Sequence, residues 1–221
     1  MNGYGLCIFS GICFSLVIAK IFRPDKEIDF FTLTFYLYSF SFFCGKLFFI
    51  LFDYGLFSLS IISPLDLIFY GFSLLGASLG GIIGFLLYCQ QIPYKATSAL
   101  NLIPVLILLI NSFGRLGCFY AGCCQGSFFG LPLEIITSLF YLLSFISGFF
   151  LCETRNLSVR KTLFYYAWII FCERFLFDIY RLDATYTAYF LTTYQVIAIA
   201  YLITALCLIY FFSPKSNPHL Q

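Results

Sequence analysis

Charge is what this chain has least of. Lys, Arg, Asp and Glu make up 10% of its 221 residues, against 62% hydrophobic residues, and the mean hydropathy is +0.97. Globular proteins carry roughly 25% charged residues. The shortfall excludes a water-soluble protein, and no polar stretch is long enough to fold alone as a soluble domain. Histidine is nearly missing: the one copy is His219, in the polar tail. Although there are 10 cysteines, no Cys-x-x-Cys pair occurs. The usual zinc ligand sets are therefore excluded, and neither a metal nor a cofactor is expected. Most of the cysteines (Cys7, Cys13, Cys44, Cys89, Cys172, Cys207) sit singly in apolar runs, where cysteine behaves as a small hydrophobe. The formal net charge of +2 says nothing about nucleic acid, and no nucleic-acid partner is expected.

What is present is long apolar runs. A membrane-spanning helix needs about 20 apolar residues. Seven stretches qualify, at about residues 4–21, 30–52, 65–89, 99–117, 132–152, 162–180 and 191–212. They predict an all-α polytopic membrane protein of one integral domain, residues 1–221, with seven transmembrane helices and no soluble head domain. No basic residue precedes the first run, while Lys20, Arg23 and Lys26 follow it. A cleaved signal peptide has the reverse arrangement, so this reads as a retained helix with its N-terminus outside. The cytoplasmic links and tail then hold Lys20, Arg23, Lys26, Lys95, Arg155, Arg160, Lys161 and Lys215, eight of the 12 basic residues. That asymmetry obeys the positive-inside rule and puts the C-terminus in the cytoplasm. The third run is rich in Gly, Ala and Ser from Gly71 to Gly84. Small residues let membrane helices pack closely, so this helix is expected to be central.

The other four cations, Lys46, Arg115, Arg174 and Arg181, lie within or at the end of spans. Intramembrane cations are expensive and mark function or a partner. In this topology all four fall in the outer half of the membrane, with few acids beside them. That predicts an anion site at the outer leaflet, and a lipid phosphate suits it because arginine matches phosphate bidentately. Arg174, Asp178 and Arg181 are spaced to share one helix face. A self-neutralised ladder pinning the bundle is the structural alternative for them. Arg115 belongs to a dense segment, Gly114 to Gly126, that holds four glycines and the cysteines Cys118, Cys123 and Cys124. A glycine-rich loop carrying a snorkelling arginine is the plainer reading of that segment.

These residues resemble the prolipoprotein diacylglyceryl transferase family. Its signature is Gly-Arg-x-Gly-Asn-Phe-x-Asn-Gly-Glu with a later Gly, and Gly114, Arg115, Gly117, Phe119, Gly122 and Gly126 fall on it. The opening Tyr4-Gly5-Leu6 is similar to the family's Tyr-Gly-Leu. Phe72 to Gly81 resembles its Ser-Phe-His-Gly-Gly-Leu-Ile-Gly segment, and Arg174, Asp178 and Arg181 its late-helix Arg-x-x-x-Glu-x-x-Arg. Gln195 sits where the family has a Gln before its last span. The matches run in order from Tyr4 to Gln195. The resemblance implies a multi-pass enzyme of the bacterial cytoplasmic (inner) membrane. It would move the diacylglyceryl group of phosphatidylglycerol to the lipobox cysteine of a prolipoprotein signal peptide, releasing glycerol phosphate. By position, Arg115 and Arg174 would hold the lipid phosphate, with Asp178 and Arg181 orienting Arg174 or the leaving group. Arg115, Tyr4, Lys46, Gly76, Cys118, Gly122, Cys123, Gly126 and Arg181 are the residues the resemblance assigns to substrate.

The departures fall at the chemistry. The family's His meets Leu75 here, the signature's two Asn meet Cys118 and Ala121, its Glu meets Cys123, and the helix-two Arg is Lys46. The link from Gln125 to Leu131 leaves no room for an external head domain. Several cations could lower the thiol's pKa without a base. Otherwise the scaffold binds anionic lipid or exported peptide without catalysis; a small-solute transporter is a third reading. Cys118, Cys123 and Cys124 could brace the loop by a disulfide, supply an activated thiolate, or simply pack.

Overall fold

The computed structural model describes residues 3–22, 30–54, 73–91, 101–122, 125–155, 157–182, 186–188 and 191–212. Seven long helices account for most of these: α1 Gly3–Phe22, α2 Phe30–Phe48, α3 Leu74–Gln91, α4 Ile103–Ala121, α5 Leu133–Arg155, α6 Val159–Phe177 and α7 Thr193–Phe212. A π-helical stretch, Phe49–Tyr54, extends α2. Two short antiparallel ribbons lie in the connections. In one, β1 Ser127–Phe128 pairs with β2 Leu131–Pro132. In the other, β3 Tyr186–Ala188 pairs with β4 Leu191–Thr192. By length and composition, 5 segments among the described residues can cross a membrane: Thr32–Leu51, Leu74–Gln91, Ile103–Ala121, Leu133–Arg155 and Thr193–Phe211, with Leu6–Phe22 a shorter apolar stretch. The fold is thus an all-α polytopic membrane fold. Arg23, Lys26, Asp66, Lys95, Lys215, His219, Cys123, Cys124 and the start of the third expected span lie outside the described residues.

The bundle is packed mainly as α2 on α3, α1 on α4 and α4 on α5. The small residues of α3 explain the first contact. Gly76, Gly80 and Gly84 recur every fourth residue and so line one face. A Cβ on Gly80 would come within 2.1 Å of the Phe40 carbonyl oxygen, and one on Gly84 within 2.5 Å of that of Tyr36. The α2 backbone fills the space where side chains would stand, and α3 is the most buried of the five membrane-length segments. Serines set the α4–α5 contact: Ser112 and Ser138 each donate a 3.0 Å hydrogen bond to the other's carbonyl oxygen. Such bonds between small polar residues join helices where lipid offers no alternative partner.

Two expectations are corrected. The fourth span is expected to end near residue 117, and the plainer reading of the Gly114 segment is a glycine-rich loop. Instead α4 continues to Ala121, and Arg115 is helical and buried. Interior glycines weaken a helix by only about 1 kcal/mol each, which tertiary packing overrides. The helix ends at Gly122, whose φ of 66° is left-handed, a conformation glycine takes without strain. The second correction concerns the shared helix face of Arg174, Asp178 and Arg181. The α-helix stops at Phe177, Asp178–Tyr180 forms a 3₁₀ turn, and Arg181 is extended at φ −78°, ψ 143°. The β1–β2 turn is made by Phe129 and Gly130, both at positive φ (50° and 78°), the mirror-image turn that suits a two-residue hairpin.

Candidate functional site

Three arginines and three carboxylates line one small pocket. Arg115 comes from α4, Glu134 and Thr137 from the first turns of α5, and Glu173 and Arg174 from the end of α6. Asp178 and Arg181 come from the turn beyond it. Local geometry places each of them. Ser112 and Arg115 are three apart and share the α4 face that the serine bonds press onto α5. Glu134 and Ser138 are four apart on the facing stripe of α5. Thr137 spends its hydroxyl on the Leu133 carbonyl at 3.0 Å, closing the helix start. The pocket's open volume is about 10 Å³, room for roughly one water molecule.

The charges are paired inside the fold. Glu173, 2% exposed, forms an ion pair with Arg115, and its second carboxylate oxygen lies 3.4 Å from Arg174 Nε. Asp178 Oδ1 lies 3.6 Å from Arg181, and Asp178 Oδ2 accepts a 2.8 Å hydrogen bond from the Thr192 hydroxyl. Gln195 ties the two helix ends together. Its Nε2 donates to the Phe175 carbonyl at 2.8 Å, and its Oε1 accepts from the Thr192 backbone N–H at 3.0 Å. The Arg181 guanidinium also lies over the Tyr194 ring at 4.9 Å. A buried ion pair is stable only when its geometry and further hydrogen bonds offset desolvation. Here the Arg115–Glu173 pair joins α4 to α6 and Gln195 ties α7 to the end of α6, so the cluster also fixes their relative position.

Gly126 closes the site from outside. It forms an antiparallel bridge with Arg181, the Leu182 N–H donates to the Gln125 carbonyl at 3.0 Å, and the Leu133 N–H donates to the Gly126 carbonyl at 3.1 Å. A Cβ on Gly126 would meet the Tyr180 carbonyl oxygen at 2.6 Å. Only glycine lets the backbone come this close.

The structure therefore brings Arg115, Arg174, Asp178, Arg181 and Gly126 together. Gly122 caps α4 beside them and lines a second, larger cavity. Cys118 lies on the last turns of α4, half-buried. Two residues lie apart. Gly76 is at the α2 contact, where a Cβ would be 2.5 Å from the Cys44 carbonyl oxygen. Lys46 sits 5.9 Å from the Phe42 ring and does not line the arginine pocket. Tyr4 is in α1, with its side chain outside the described residues, as is Cys123.

The expected surplus of cations is not what the pocket holds. Three arginines face Glu134, Glu173 and Asp178, so the lining is balanced in formal charge. The sequence places Glu173 beside Arg174 on the sixth span but not their pairing, because neighbours on a helix do not ordinarily face each other. Glu134 escaped the sequence reading because an acid in the first turn reads as an ordinary dipole partner. Counting every acid inside the apolar runs would have exposed both.

A polytopic membrane protein with a buried arginine–carboxylate pocket beside a glycine-capped helix end is the class this fold and site define. The family model of prolipoprotein diacylglyceryl transferase matches residues 1–211, and the chain belongs to that family. A phosphatidylglycerol–prolipoprotein diacylglyceryl transferase of Clostridium tetani is 39% identical over 66 residues, covering 30% of this chain and 26% of that protein. A second, of Clostridium perfringens, is 30% identical over 159 residues, covering 62% of this chain and 61% of that protein. The chain thus spans less than two thirds of the length of either relative.

Proposed function

We propose that this protein transfers the diacylglyceryl group of phosphatidylglycerol to the lipobox cysteine thiol of a prolipoprotein, releasing glycerol phosphate. The observation that carries the reading is the pairing of Arg115 and Arg174 through one carboxylate, Glu173. Two guanidiniums already converging on one anion form a cradle for a phosphate. Fixed cations stabilise the charge that gathers on the leaving phosphate. The open space between the arginines is about 10 Å³, so a phosphate entering there would take the place of the Glu173 carboxylate. Phosphatidylglycerol, the prolipoprotein signal peptide and surrounding membrane lipids are the partners. The relatives' names support this substrate pair.

The finer architecture belongs to the same proposal. The chain is one integral domain with seven crossings, N-terminus outside and C-terminus in the cytoplasm of a bacterial inner membrane. Its pocket faces the outer leaflet. The charge asymmetry of the links supports this orientation.

The test is purified protein in phosphatidylglycerol vesicles with a lipobox peptide, following glycerol phosphate release. Release by wild type that Arg115→Ala and Arg174→Ala each cut at least about 100-fold, the scale of a lost charge-stabilising donor, supports transfer. Phosphatidylglycerol binding without release would favour the second reading, a lipid-binding member. Leu75, where the family has its His, is what recommends that alternative.

A further inference from the structure

Beside the arginine pocket lies a second cavity, of about 390 Å³, bordered by the β1–β2 hairpin, the end of α4 and Leu182. Glu134 is the one residue that lines both spaces. Among the described residues it is also the one charged side chain on the larger cavity's lining, which is otherwise neutral and mostly apolar or small: Phe119, Gly122, Gly126, Gly130 and Leu131 among them. The two spaces suit different ligands. The arginine pocket suits an anion. The larger cavity, with a lone carboxylate, repels an anion and accepts a neutral chain with small side chains.

Glu134 is 5% exposed. Glu173 and Asp178 are both held by arginine, but among the described residues no hydrogen bond or ion pair engages the Glu134 carboxylate. It is the uncommitted acid at the junction. We propose that Glu134 takes the proton from the acceptor cysteine thiol, with the acceptor peptide lying in the larger cavity. This rests on the transferase reading above.

The step balances in atoms and electrons. The thiol S–H bond breaks and its proton passes to a Glu134 carboxylate oxygen. The thiolate sulfur attacks the glyceryl carbon that carries the phosphate ester, forming the S–C thioether bond. The C–O bond breaks, and its electron pair leaves on the glycerol phosphate oxygen, facing Arg115 and Arg174. Glu134 then returns its proton to the departing phosphate or to water. No oxidant, reductant or metal is needed. The thiolate is the competent nucleophile, and a positioned base contributes about 10²–10⁴-fold.

The experiment compares wild type with Glu134→Gln in phosphatidylglycerol vesicles, using a lipobox peptide and its selenocysteine analogue. A selenol ionises at neutral pH without help and does not need the base. Glu134→Gln should release glycerol phosphate about 100-fold or more slowly with the cysteine peptide. The selenocysteine peptide should recover at least about a tenth of the wild-type rate, with phosphatidylglycerol binding no weaker than in wild type. A Gln variant as fast as wild type on cysteine overturns the proton role alone. So does a slow variant that selenocysteine does not rescue, which marks Glu134 as structural. Wild type that acts on neither peptide overturns the transferase reading, and this role with it.

Discussion

Glu173 holds two buried guanidiniums with one carboxylate, and the consequences of losing it can be worked out from charge alone. Glu173→Gln keeps the side-chain shape but leaves Arg115 and Arg174 without their shared anion. Removing one partner of a buried ion pair destabilises by about 3–5 kcal/mol. A phosphate entering between the arginines would replace the lost charge. Glu173→Gln is therefore expected to melt well below wild type in zwitterionic vesicles and to recover most of that loss in phosphatidylglycerol vesicles. Thermal unfolding in the two lipids checks this, and an equal loss in both would rule out an anion cradle. At this scale the arginines were legible in the sequence, because a cation in an apolar run demands an explanation. The carboxylates were not, because a helix-start acid and an acid next to an arginine each have an ordinary reading. Gly76 is a different case: its match to a family segment suggests a substrate role, and what the match does not reveal is that its backbone lies against α2.

Among the elements, the glycines of the Gly114–Gly126 segment separate into three kinds. Gly122 is needed for a left-handed cap and Gly126 for a backbone crossing. At Gly114 nothing lies within 4 Å of the position a Cβ would take. Gly126→Ala would press on the Tyr180 carbonyl oxygen and push the hairpin off the strand-like Arg181, a cost of about 1–3 kcal/mol for overpacking. Its glycerol phosphate release should fall together with its melting temperature. Gly114→Ala meets no obstacle and should gain about 0.5–1 kcal/mol, because alanine is the better helix former. Thermal unfolding of both variants decides: a Gly114→Ala protein as weakened as Gly126→Ala would contradict this packing. The helices themselves were legible, since runs of about 20 apolar residues leave few alternatives. Their ends were not. Whether α4 stops near residue 117 or runs on to Ala121 depends on the α5 serine that Ser112 meets, and sequence periodicity does not reveal that partner.

For the whole molecule, the orientation decides whether the proposed chemistry is possible. On the proposed function an exported acceptor would meet the protein on the outer side, so the pocket would have to face that way. The cluster lies at the end of the bundle that carries the β1–β2 hairpin and the α4 cap. The opposite end carries Arg155, Arg160 and Lys161 at the α5–α6 link, where Arg160 donates a 2.6 Å bond to the Tyr210 carbonyl and stacks on its ring at 4.9 Å. Basic residues are retained on the cytoplasmic side, with a bias set by short links near the spans. A green fluorescent reporter, which matures only in the cytoplasm, should therefore glow when fused after Phe212. Alkaline phosphatase, active only outside, should work when inserted in the hairpin at Phe129–Gly130. Replacing Arg155, Arg160 and Lys161 together by Gln should weaken that bias and raise the fraction of chains with an external C-terminus. Fluorescence from a hairpin fusion would place the arginine pocket on the wrong side for an exported thiol, and the transferase reading would fall however well the pocket holds a phosphate.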